Sequence, residues 1–87
     1  MNYPFQYANI TRVVSVDVSA ADFEDERGFF IRSDDGGVIK YCPVNNSDAE
    51  AVTKTLDASA YFNDAELCRK IFSTGTAATN IKIGYGV

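Results

Sequence analysis

Segments such as GFFIRS, GVIKYC and NIKIGYGV are short, rich in β-branched and aromatic residues, and closed off by turn formers. Clusters of Gly, Pro, Asn, Asp and Ser recur about every 8 to 12 residues, a spacing that leaves room for strands and little room for helices. This punctuation predicts an all-β fold, a small antiparallel β-sandwich or jelly-roll-like barrel of short strands. With 87 residues the chain makes one β domain over 1–87. A unit of that size buries only about 60 to 65% of the surface its unfolded chain exposes, so part of its stability is expected from neighbouring subunits.

Residues 10–19, ITRVVSVDVS, alternate with period two, which puts Ile10, Val14, Val16 and Val18 on one face of a strand and Thr11, Val13, Ser15 and Asp17 on the other. Residues 20–27, AADFEDER, carry four carboxylates around Phe23 and read as an exposed connection with at most one helical turn. GFFIRS and GVIKYC flank DDGG, the clearest hairpin pattern in the chain, because glycine supplies positive φ and aspartate tolerates turn geometry. After Pro43, Ser47 to Glu50 match a capping box for a helix with Val52, Leu56 and Ala60 on one face. The β-branched Val52, Thr53 and Thr55 favour a strand over the same residues instead, and local sequence leaves both open. ELCRKIF sets Leu67 and Ile71 against Cys68 and Phe72, a strand expected to be covered on both faces. It leads through STGTAAT to a last strand with Ile81, Ile83 and Tyr85 on one face.

The chemistry on offer is narrow. Histidine is absent, which removes the commonest general base and the commonest metal ligand together. No serine has an evident activator, and carboxylate pairs such as Asp22 with Glu24 or Asp57 with Asp64 read as solvated loop charges, so no enzyme is expected. DDGG lacks the spacing and closing glutamate of an EF-type calcium loop, and STGTAAT lacks the glycine spacing and lysine of a phosphate-binding loop. Neither a cofactor nor a metal is expected. Cys42 and Cys68 are expected as free thiols in a reducing compartment, since the start of the chain lacks the pattern of an export signal.

Eight basic against twelve acidic residues give a net charge of -4, a poor match for nucleic acid or an anionic membrane. Two stretches look built for contact with protein. Tyr3, Phe5 and Tyr7 alternate in residues 1–9, an uncharged aromatic arm that either packs on its own domain as a first strand or docks on a neighbouring subunit. In the run from Ser73 to Thr79, Gly75 permits a turn at positive φ, Thr74, Thr76 and Thr79 can bond nearby backbone, and Ala77 and Ala78 permit close approach of another chain. That run is expected to form a hairpin tip between the strands around Ile71 and Ile81, and a packing contact at a subunit interface.

The stretch LCRKIFSTGTAATNIKIGYG resembles the C-terminal signature of small phage-particle proteins related to the head-spike base protein of gene transfer agents. The carriers are Arg69, Lys70, Ile71, Thr74, Gly75, Thr76, Ala78, Thr79 and Ile81, while GFFIRSDDGGVIKY and VTKTLDASAYF resemble the hairpin and strand before them. The resemblance implies a structural virion protein, a head-spike base or capsid decoration subunit. Such a subunit is assembled in the host cytoplasm, forms homo-oligomers as a ring or cluster on the capsid or tail, and anchors a fibre or spike, with the major capsid protein, the fibre protein or both as partners. In that setting the small tip around Gly75 allows close subunit packing, and Arg69 and Lys70 can meet acidic surfaces on a partner. It also implies a strand, not a helix, for AVTKTL. A tail or baseplate adaptor of the same phage class, and a cytoplasmic protein-binding module that inhibits a host enzyme, are the competing readings.

Overall fold

The computed structural model describes residues 10–62 and 66–86, so the aromatic arm with Tyr3, Phe5 and Tyr7 lies outside the described residues. Six strands follow in chain order: β1 (Ile10–Val16), β2 (Phe23–Ser33), β3 (Gly37–Pro43), β4 (Val52–Leu56), β5 (Cys68–Ile71) and β6 (Ile81–Gly86). They join in one sheet of order β1-β6-β2-β5-β3-β4 in which every strand pairing is antiparallel. The all-β expectation holds. β2 bridges two halves, pairing with β5 at Phe23, Glu24 and Phe29 and with β6 from Phe30 to Ser33. Beyond β4, Ala58 returns to Ser33 at the end of β2 in a single parallel bridge, so β2, β5, β3 and β4 form a nearly closed ring.

Alternation in β1 is expressed as read from Val13 to Val16: Val14 and Val16 face Ile83 and Ile81 across the ladder and pack on the core, while Val13 on the other face is 50% exposed. Ile10, expected on the core face, is shifted by a bulge before Arg12 to the opposite face, beside Gly84. Phe29, Ile31, Ile39, Tyr41, Cys68, Ile71, Ile81 and Ile83, with Val18 and Ala78, form one buried cluster drawn from both halves of the sheet. A second, smaller contact lies on the opposite face of β6. There Phe62 is buried over Gly84, where a Cβ would sit 2.8 Å from its Cζ, and Arg32 stacks on its ring at 5.3 Å.

Four expectations are corrected. Residues 23–27 are not an exposed connection but the first part of β2, where Phe23 pairs with Ile71 and meets Phe29 edge to face at 5.3 Å. The acidic letters hid this strand because its ladder breaks between Glu24 and Phe29, in an excursion turned by the Asp25 carboxylate accepting the Arg27 N–H at 3.0 Å. Second, β2 and β3 do not form a hairpin, since β5 lies between them. The DDGG turn exists, with Gly36 and Gly37 at φ +74 and +122. Its polar groups, however, bind outward: the Asp34 N–H donates to Asn80 O at 3.1 Å, and the Asp35 carboxylate accepts from Thr79 and Asn80.

Third, β5 and β6 are not joined by a hairpin either, because β2 separates them. Fourth, β5 is not covered by apolar residues on both faces. One step on β3, from Cys42 to Pro43, spans two on β5, from Lys70 to Cys68, so Arg69 is an extra residue that turns Cys68 and Ile71 alike into the core. Over residues 47–56 the two readings left open are each realised in part. The Glu50 carboxylate accepts the Ser47 N–H at 2.9 Å, as a capping box requires, but the turn ends after Asp48–Glu50, and Ala51 at ψ 150 starts the extended backbone of β4. Strand pairing with β3 decides it.

Candidate functional site

The bulge at Arg69 sets the geometry of the surface beside β5. In a regular strand Arg69 and Lys70 would point to opposite faces. Here both reach Asp48, Arg69 Nη2 at 2.7 Å and Lys70 Nζ at 2.9 Å, each on its own carboxylate oxygen. Arg69 also pairs with Glu24 at 2.9 Å, and Lys70 lies 3.8 Å from Asp22. Lys70 first and Arg69 second hold the Asp48 carboxyl below the usual carboxylate range, and Asp48 in turn raises both bases. The Arg69 guanidinium further donates to Asn46 O through Nε at 3.1 Å and Nη2 at 3.0 Å. The two cations named from the sequence are thus together and half-buried, with intramolecular carboxylates already around them.

Cys42 lies beneath this network. It is opposite Lys70 in the ladder, is completely buried, and its Sγ contacts Asn46 O at 3.3 Å and Ser47 O at 3.2 Å. Cys68 faces the core instead, and burial pushes its thiol up to about 12. Both thiols are free. Along the same face Phe72 lies between two ammonium groups, Lys70 at 4.8 Å and Lys40 at 5.2 Å.

The small-residue run does not project from the sheet as a hairpin tip; it is tied down along β3. The Phe72 N–H donates to Lys40 O at 2.9 Å, the Lys40 N–H to Thr76 Oγ1 at 3.0 Å, and the N–H groups of Ala77 and Ala78 both reach Val38 O. Gly75 adopts φ +97, the positive φ expected of it. Thr74, Gly75 and Thr79 are exposed, Thr76 is half-buried, and Ala78 is buried. The close approach Ala78 permits is made within its own chain: a Cβ on Gly37 would stand 3.0 Å from its Cα. Ser33, completely buried, anchors the far end, its hydroxyl donating to Thr79 O and accepting the Gly36 N–H at 2.9 Å.

Two further charged groups flank β6. Asp34 joins Arg32 and Lys82, and Lys82 first, then Arg32, lowers its carboxyl. Asp25 takes a fork from Arg27 and the Tyr85 hydroxyl at 2.7 Å, while the guanidiniums of Arg27 and Arg12 stand 5.0 and 5.6 Å from the Tyr85 ring. Arg27 with Asp25 and Arg32 with Asp34 are neighbours two residues apart, but spacing along the chain gave no signal of Lys82 with Asp34, Tyr85 with Asp25 or Arg69 with Asp48, which meet only through the strand order.

The hollows among the described residues include a small one and an open groove. One of about 10 Å³ is lined by Ile31, Ile39, Tyr41, Lys54, Leu56, Glu66 and Cys68, room for about one water. There Tyr41 donates to Glu66, and burial, with Glu66 beside it, raises the phenol. The other is an open groove of about 500 Å³ between residues 15–19 and 76–82. Among the described residues no three His, Cys, Asp or Glu side chains gather as a metal site, and no helix is long and apolar enough to cross a membrane. Compared with protein-family models, with curated proteins and with solved structures, the chain finds no match.

Proposed function

We propose that the protein is a structural subunit of a phage-type particle, a head-spike base or capsid decoration subunit that assembles as an oligomer and anchors a fibre or spike. The observation that supports this reading is the tethering of the run around Gly75 along β3, with Thr74, Gly75 and Thr79 left exposed. A surface used for stacking subunits has to keep one shape in every copy, and backbone hydrogen bonds supply that. The sheet also ends in β1, whose outer edge carries no strand partner among the described residues. Such an edge suits lateral association, in which weak contacts multiply through symmetry.

The partners in this reading are further copies of the chain, with the major capsid protein or the fibre protein. The test is to probe purified particles from the producing host for the protein, and to sediment the isolated protein at micromolar concentration. Co-purification at a fixed ratio to capsid, together with an oligomer in solution, is expected. Absence from particles and recovery with a host protein would replace this reading with that of a cytoplasmic binding module.

A further inference from the structure

We propose that the 44–51 loop is a salt-labile ionic latch that controls access to the Cys42 thiol. The thiol lies on the face of β3 away from the core: Tyr41 belongs to the buried cluster and Cys42, the next residue, does not. Its cover is the loop itself, through the carbonyls of Asn46 and Ser47. The turn Asp48–Glu50 contributes no buried residue, so it has no apolar anchor on the sheet. Its ends are tied by Val44 N–H to Leu67 O at 3.1 Å and by entry into β4. Between those ties the hold on the sheet is polar: Arg69 on Asn46 O, and Asp48 on Arg69 and Lys70.

The capping box of Ser47 and Glu50 stiffens the loop but does not fasten it to the sheet. A segment held this way opens locally well before the domain unfolds. Opening exposes Cys42 and releases Arg69 and Lys70 from Asp48 in one movement. Cys68, inside the apolar cluster, is reached only when the domain itself opens.

Native-state alkylation with iodoacetamide, each thiol followed by peptide mass spectrometry and scaled to its own rate in denaturant, tests this. In the wild-type protein Cys42 should label faster than Cys68. Raising NaCl from about 0.1 to about 1 M shortens the screening length from about 10 to about 3 Å and should accelerate Cys42 alone. Asp48→Asn should accelerate Cys42 by about two- to fivefold, the scale that an exposed ion pair carries, and should abolish most of the salt effect. Cys42 rates unmoved by salt in the wild-type protein, or Cys68 rising by the same factor as Cys42, would overturn the latch. The wild-type salt series decides the matter alone if the variant does not fold.

Discussion

Gly36→Ala is expected to be among the most damaging single-atom changes in the chain. Gly36 sits at φ +74, a conformation that costs an L-residue roughly 1–2 kcal/mol. An added Cβ would also stand 2.8 Å from both Leu56 O and Ala58 N, which are backbone atoms and cannot rotate away. Forcing them apart adds about 1–3 kcal/mol, giving a total of about 2–5 kcal/mol. Gly75→Ala is the control. Its φ of +97 imposes a similar backbone cost, but the new Cβ would meet only Lys40, whose Cδ at 3.1 Å belongs to a flexible side chain. Its loss should stay near 1–2 kcal/mol. Domains of this kind are stable by about 5–15 kcal/mol in total, so the two variants should separate clearly in urea unfolding. The displaced backbone carries the bond from the Ser59 N–H to Ser33 O, at 3.0 Å, so amide exchange at Ser59 should rise in Gly36→Ala and not in Gly75→Ala. Equal losses in the two variants, or a Gly36→Ala midpoint equal to wild type, would refute the argument that closure of the ring at Ser33 and Ala58 requires glycine there.

Ser33→Ala leaves the half-buried Gly36 N–H without its acceptor and should lower stability by about 1–3 kcal/mol, read as a lower urea midpoint at unchanged slope. Gly84→Ala drives a Cβ into Phe62 and should cost about 1–3 kcal/mol, with part of the loss recovered in Gly84→Ala combined with Phe62→Leu. Cys68 is buried with its thiol raised from about 9.0 to about 12, so the unfolded chain releases this proton first; the stability it contributes is complete below 9.0 and falls as pH rises toward 12. Urea midpoints across that window should decline, and less so in Cys68→Ala. Asp25, Asp34 and Asp48 are shifted the other way, by Arg27 with Tyr85, by Lys82 with Arg32, and by Lys70 with Arg69. Their contribution is present above the ordinary carboxylate value of 3.8 and disappears as pH falls below it, so acid unfolding should shift upward in pH when Asp34 is replaced by Asn.

Strand identity was legible in Ile10–Val16 and Ile81–Gly86, where Val14, Val16, Ile81 and Ile83 share the core face that alternation assigns them, because which face is apolar is a local property of the sequence. So was the positive φ at Gly75, where the surrounding Ser and Thr residues mark a turn and glycine alone adopts that conformation cheaply. Which strands become neighbours was not. DDGG and STGTAAT each have the chemistry of a tight turn, and each is a turn, yet neither joins paired strands, because β5 enters between β2 and β3 while β2 separates β5 from β6. Turn residues fix a local change of direction; pairing is decided by long-range burial, in which Cys68 and Ile71 complete a core that Ile31, Ile39 and Tyr41 leave open. The same limit applies to the candidate site. Arg69 and Lys70 could be named from the sequence, but consecutive residues in a strand face apart. Only the bulge, which exists because β3 pairs with both Cys68 and Lys70, turns them together toward Asp48 and closes the loop over Cys42.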